Sequence, residues 1–349
     1  MHKIFIYILM FMLPINLYSQ DIENKMIEAV IHNDYNLVSQ FIEKGTDLNL
    51  TDNNGMTPLI WASSGGNIKI VELLISKGVN INLKDNNGMT ALMWAVLRRY
   101  VDVIKLLLIN KAKIDIKNNR KWTPLMMAVS NGDADIVKLL IENGADVNEK
   151  DKNDFTVLMI AASKGYIDII DLIIKNKADI NIKDKDGVTA LLWAVIRGNL
   201  NAVKILIENG ADVNCKSINK WTPLMAASSN GYLDIVILLL TKGAYIDIVD
   251  NEGMTSLIWS SIRGHFDIVK VLLENGAEVN KKSEKNCTAL IAASSRGYSD
   301  IVKLLLKNKA NINDINFEGK TSLDYAIEKG FKEIINILIE AGGKKAGEL

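Results

Sequence analysis

A Thr-x-Leu triplet returns every 33 residues along this chain, from Thr57 to Thr321, without an insertion or deletion. The nine copies are Thr57-Pro58-Leu59, Thr90-Ala91-Leu92, Thr123-Pro124-Leu125, Thr156-Val157-Leu158, Thr189-Ala190-Leu191, Thr222-Pro223-Leu224, Thr255-Ser256-Leu257, Thr288-Ala289-Leu290 and Thr321-Ser322-Leu323. A period this long and this strict points to one kind of architecture, a small unit repeated and stacked on itself. It overrides the prior from length, by which 349 residues would suggest about two or three separate domains.

The unit from Asp85 to Lys117 shows how residue types set the order of elements. Asp85-Asn86-Asn87-Gly88 is a turn signal: short polar side chains, then a glycine free to take positive φ. Thr90 can cap the free N–H groups of a helix, and Pro58, Pro124 and Pro223 follow the Thr in three copies, at the favoured first helical position. That helix stops at Gly in eight copies and at Arg99 in the ninth. A left-handed residue there costs a side chain with a Cβ roughly 1–2 kcal/mol. A second helix begins with Asp102 in its first turn, where a carboxylate meets the positive end of the helix dipole. It ends at Gly or at Lys111, Lys177 or Lys309. Neither helix is long enough to be stable alone. Neighbours must therefore bury Leu92, Ala95, Ile104, Leu107 and their equivalents in one continuous core.

This order of residues resembles the ankyrin repeat: Asp-x-x-Gly-x-Thr-Pro-Leu, then Ala, Gly, Ile/Val-Val-x-x-Leu-Leu and Gly-Ala-Asp-x-Asn, carried almost throughout by Gly132 to Asn148. The resemblance implies an all-α solenoid of about ten stacked repeats, each a helix-turn-helix with a hairpin-like tip. Residues 21–51 read as a degenerate N-terminal capping repeat, with Asn24 at the Thr position. Residues 52–315 read as eight 33-residue repeats, and 316–349 as a C-terminal capping repeat and short tail, with Asp324 where the other repeats carry Met, Ile or Leu. The family often carries His two residues after the Pro. Here that position holds Ile60, Met93, Met126, Met159, Leu192, Met225, Ile258 and Ile291, so apolar packing is expected in place of a polar contact.

Residues 1–20 stand outside the period. His2 and Lys3 lead an apolar run from Ile4 to Leu13, and a more polar stretch follows to Gln20. That is the layout of a secretory signal peptide, and its apolar core is half the roughly 20 residues a membrane-spanning helix needs. The expected product is exported, periplasmic or secreted, with no transmembrane span in the mature chain. Export would permit a disulfide. Cys215 and Cys287, however, lie more than two repeats apart, about 20 Å at the usual helix-packing step, against the roughly 7 Å a disulfide allows. Two free thiols are expected.

The residues for chemistry are missing. Lys plus Arg and Asp plus Glu are both 41, so the basic face of a nucleic-acid binder is absent. Of the three histidines, His2 leaves with the leader, His32 is in the first unit, and His265 sits at a helix start. No Cys/His cluster has metal-ligand spacing, and no phosphate loop or dinucleotide fingerprint occurs. The reading is no catalytic residue, no metal and no cofactor.

One pattern exceeds what a repeat needs. Trp94, Leu97 and Arg98 recur as Trp193, Ile196 and Arg197 and as Trp259, Ile262 and Arg263. Residues three apart share a helix face, and five other repeats carry Ser at the aliphatic position, which implies exposure. The tip residue before the Thr is often large, as in Met89, Trp122, Phe155 and Trp221. In ankyrin-like folds tips and first helices line the concave binding surface, and exposed apolar and aromatic side chains mark interaction sites. The thirteen residues from Met89 to Arg263 just named are therefore the candidate protein-binding face. The function expected is an exported, non-catalytic, monomeric scaffold. The alternative is an inhibitor or protective partner of a cell-envelope enzyme, or a secreted effector. If the leader is cleaved, N-terminal sequencing of the exported protein should begin at Gln20 or Asp21; Met1 intact on a cytosolic chain would refute export.

Overall fold

The structure is a computed structural model that describes residues 24–349; the leader read over residues 1–20 lies outside them. Two compact units divide the chain after Val157. The first unit holds α1 (24–31), α2 (Tyr35–Glu43), α3 (Pro58–Gly65), α4 (Ile68–Ser76), α5 (Ala91–Arg98), α6 (Val101–Ile109), α7 (Pro124–Asn131) and α8 (Ala134–Glu142). The second holds all but the first residue of α9 (Val157–Lys164), then α10 (Ile167–Lys175), α11 (Ala190–Ile196), α12 (Leu200–Glu208), α13 (Pro223–Asn230), α14 (Leu233–Thr241), α15 (Ser256–Arg263), α16 (Phe266–Glu274), α17 (Ala289–Arg296), α18 (Ser299–Lys307), α19 (Ser322–Lys329) and α20 (Lys332–Glu340). The described residues contain no strand. The tips are therefore turns, and the hairpin-like pairing expected of them reduces to single backbone bonds between neighbours.

The first helix of each repeat from α3 on starts where the sequence places a Thr. The Thr90 hydroxyl accepts the Met93 N–H at 3.3 Å, and Thr57, Thr123, Thr189, Thr222, Thr255, Thr288 and Thr321 do the same for the residue three places on. Within the first unit α3 packs on α5 and α5 on α7, and α3, α5 and α7 pack on α4, α6 and α8. The same pattern runs from α11 to α20 in the second unit. Leu92, Ala95, Ile104 and Leu107 are buried, as are Ile60, Met93, Met126, Met159, Leu192, Met225, Ile258 and Ile291 at the position where the family often has His. The last repeat uses Asp324 differently. Its Oδ2 accepts the N–H of Thr321 at 2.9 Å and that of Ala346 at 2.9 Å, which ties the tail back onto α19. Burial pushes the Asp324 carboxyl up, but these hydrogen bonds outweigh it and hold the group below the usual carboxylate range.

The left-handed helix ends explain Arg99. Gly66 has φ 71°, and a Cβ built there would lie 2.7 Å from the Tyr100 ring, which rests on it from the next repeat. Gly198, Gly264 and Gly297 carry Tyr232, Tyr298 and Phe331 in the same way. Arg99 also turns left-handed, at φ 66°, but the next repeat offers Asp133 in place of a ring. The guanidinium takes it in two places, Nε to Oδ2 at 2.7 Å and Nη2 to Oδ1 at 2.5 Å, and Nη2 also donates to the Asn131 carbonyl at 3.1 Å. An arginine fits only because the aromatic ring is gone.

Two outcomes follow for stability. Arg99→Gly removes a strain of roughly 1–2 kcal/mol and an exposed ion pair worth about 0–1 kcal/mol, so melting should rise only slightly. Asp133→Tyr should destabilise the wild type yet be tolerated with Arg99→Gly, a coupling of about 1 kcal/mol across the four-protein cycle; equal cost in both backgrounds would refute the exchange. The thiols give the second outcome. Cys215 and Cys287 are both free, and burial pushes each up to about 11. Both raised values lie above 9.0, so the protonated thiols favour the fold below that pH and the contribution is lost as pH rises toward 11. A disulfide-exchange reagent at pH 8 should label them quickly only after denaturation.

Candidate protein-binding face

An aspartate organises five of the turns. Asp85 Oδ1 accepts the N–H groups of Asn87 and Met89, both at 2.8 Å, and its Oδ2 accepts the indole N–H of Trp94 at 3.0 Å. Asp52 with Trp61, Asp184 with Trp193 and Asp250 with Trp259 repeat the set, the indole bonds being 3.1, 2.9 and 2.9 Å. Asp85, Asp184 and Asp250 are buried. A buried carboxylate is costly unless its oxygens are satisfied, and an inward-facing indole N–H needs an acceptor, so each residue of the pair answers the other. Where Asn118, Ser217 or Ser283 replaces the Asp, Met127, Ala226 or Ala292 stands nine residues on in place of Trp. Asp151 is the informative exception. Its own repeat has Ile160 at that position, and Trp122 from the preceding tip donates to its Oδ2 at 3.2 Å.

This fixes where the candidate residues lie. Trp94, Trp193 and Trp259 are half-buried, with their N–H groups turned inward. The Arg98 guanidinium sits 5.9 Å from the centroid of the Trp94 ring, a cation–π contact. Arg98, Arg197 and Arg263 are exposed, Leu97 is 41 % exposed, and Ile196 and Ile262 are half-buried. Ser229, at the same position as Leu97, is buried, so that position is not displayed in every repeat. Trp122, Phe155 and Trp221 are half-buried at the tips. Trp221 lies against Trp259, ring centroids 5.2 Å apart and tilted by 49°, since the Asp250 oxygen that it would otherwise reach is already taken by Trp259.

Met89 is a correction. It is 7 % exposed, like Met56, Val188 and Met254, and so cannot be a displayed anchor. Its N–H is held by Asp85 and its C=O accepts the Asp85 N–H, so a flexible side chain there folds into the stack. Indole and phenyl rings are too large to follow it fully.

Successive tips are tied by one backbone bond each. In the first unit the N–H groups of Asn86, Asn119 and Lys152 donate to the carbonyls of Asn54, Asn87 and Arg120 at 2.9, 3.0 and 3.3 Å. In the second, Ile218, Asn251, Glu284 and Phe317 do the same to Asp186, Asn219, Glu252 and Lys285. The side chains on each face thus stand on a fixed frame. His265 belongs to that frame: its Nε2 donates to the Ser229 carbonyl at 3.2 Å, and its ring rests on Gly231. Among the described residues no group of His, Cys, Asp or Glu could hold a metal ion, and no helix is long and apolar enough to cross a membrane. The nine-residue interval from Asp to Trp was present in the sequence, and it identifies the partners of Trp61, Trp94, Trp193 and Trp259 without coordinates.

The family model described as ankyrin repeats (3 copies) matches residues 26–118, 108–184, 125–217, 158–250, 191–283 and 279–346. No curated protein matches the chain. These overlapping matches span the same Thr caps, left-handed helix ends and paired short helices that build the two units, and the chain belongs to the ankyrin-repeat family.

Proposed function

We propose that this chain is an exported, non-catalytic, monomeric scaffold that binds a partner protein through the face formed by its turns and first helices. The observation that carries this reading is the pinned tryptophan. Trp94, Trp193 and Trp259 each keep one edge locked on a buried Asp and part of the ring in solvent, with Leu97, Ile196 or Ile262 beside it and an exposed Arg after that. An aromatic side chain held in place before binding loses little freedom when it binds, and aromatic and Arg anchors dominate interface energetics. Export is supported by the basic, apolar and polar thirds of residues 1–20.

Capture of the partner from envelope extract with the mature chain, then titration of the purified partner, tests the reading. Leu97→Ser on the first unit and Ile196→Ser with Ile262→Ser on the second copy a residue that other repeats carry. Leu97→Ser should leave the melting curve almost unchanged, while each half-buried Ile should cost about 1–2 kcal/mol. Affinity should fall by about 2 kcal/mol or more, the usual loss on truncating an anchor. Loss of stability with normal binding by the folded fraction would place these residues in the core and overturn the assignment. Recovery of one enzyme at equal stoichiometry would favour an inhibitor over a general scaffold.

A further inference from the structure

We propose that the partner presents an acidic segment to the first unit, an extended Asp- or Glu-rich peptide held at the tips by Arg120, Lys121, Lys150 and Lys152. The inference rests on the protein-binding reading and adds the chemistry of what is bound.

The four cations belong to two adjacent tips joined by the Lys152 to Arg120 backbone bond, and all four are exposed. None of them has an ion-pair partner among the described residues. Lys117, at the same tips, shows what pairing looks like here: it meets Glu149 and donates to the Lys150 carbonyl. The other acids are also occupied or withdrawn. Asp151 is buried and accepts from Asn153, Phe155 and Trp122, and Asp154 is half-buried. The two tips thus carry surplus positive charge, while the neighbouring tips Asn53-Asn54-Gly55 and Asn86-Asn87-Gly88 have only Lys84 beside them, and it donates to the Lys117 carbonyl.

Lys121 stands at the turn of the tip. It has φ 58° at the tip position where Gly55 and Gly88 have φ 73° and 76°. Asp154 and Asn286 are left-handed at the same position, so a residue with a Cβ is accepted there at some cost. The next residue is Trp122, whose N–H is spent on Asp151, so its exposed part offers an apolar ring rather than a donor. Lys220 repeats the left-handed lysine before Trp221 in the second unit.

The geometry favours a peptide over a nucleic acid. Phosphate tracking needs a charged groove that continues, whereas the preceding tip adds only Lys84 beside Asp85 and the following one balances Lys183 and Lys185 with Asp184 and Asp186. In an extended peptide, acidic residues three apart are separated by about 10 Å, the usual step between packed helices and so between repeats. Complementary charge of this kind sets partner choice and association rate.

The test uses the full chain and labelled peptides of four Glu-Ser-Ala repeats or four Gln-Ser-Ala repeats, with a thymidine oligonucleotide of equal length for comparison, followed by anisotropy at about 50 and 300 mM salt. The variant Arg120→Asn/Lys121→Gly/Lys152→Asn restores the residues of the neighbouring tips, so it should fold at least as well as the wild type. The Glu peptide should bind in low salt and lose on the order of tenfold in the variant, and the Gln peptide should not bind. Leu97→Ser should leave the Glu peptide bound while weakening the whole partner. No binding of the Glu peptide, equal binding to variant and wild type, or tighter binding of the oligonucleotide would overturn the acidic-segment inference. Those results would leave the face reading intact, because that reading falls only if the first-helix variants bind the whole partner normally.

Discussion

The interaction on which most of the turns depend is a carboxylate with three N–H partners. Asp52, Asp85, Asp151, Asp184 and Asp250 each use one oxygen to close the turn on two backbone N–H groups and the other to take an indole. Hydrogen bonds to an ionised acceptor are stronger than neutral ones, and four of these groups are buried, so an unmade bond would be expensive. The carboxylate therefore fixes the tip and the first helix together. Within each unit the candidate binding residues stand on turns and first helices that these carboxylates hold in place.

The strict period has its own cause. Asn49 Oδ1 accepts the Asn80 N–H at 2.9 Å, Asn82 accepts that of Lys113 at 2.8 Å, and in the second unit Asn214 accepts that of Tyr245 and Asn280 that of Asn311. Each bond spans 31 residues and joins one repeat to the next. The tip bonds and the rings over glycine also run between neighbours. An added residue in any repeat would put several of these sets out of register at once, which is why the triplets keep their spacing from Thr57 to Thr321.

Helix order and ends were legible because they depend on local residues: Thr caps, Asp at the second-helix starts, and Gly or Lys at left-handed ends. The core was legible for the same reason, since short helices must bury Leu92 and Leu107 wherever they stack. Residues whose state depends on a neighbour were not. Met89 reads as an exposed tip in sequence, and only the closed turn shows that it folds inward. Arg99 reads as a simple cost until Asp133, one repeat away, is seen to meet it. Trp122 and Trp221 look equivalent, yet one completes an Asp and the other stacks on an indole because of what the following repeat contains.

The pairing of Arg99 with Asp133 has a consequence for how such a gene can change. Units of identical length can be gained or lost by recombination between copies without disturbing the register. Most pairings survive such an exchange, since Asp85 and Trp94 travel inside one unit and most glycines are followed one unit later by a ring or an Asn. Arg99 and Asp133 lie in different units. An exchange that separates them would press a ring against the arginine or leave an aspartate facing glycine. That junction is therefore one where the order of two neighbouring copies matters to their fit.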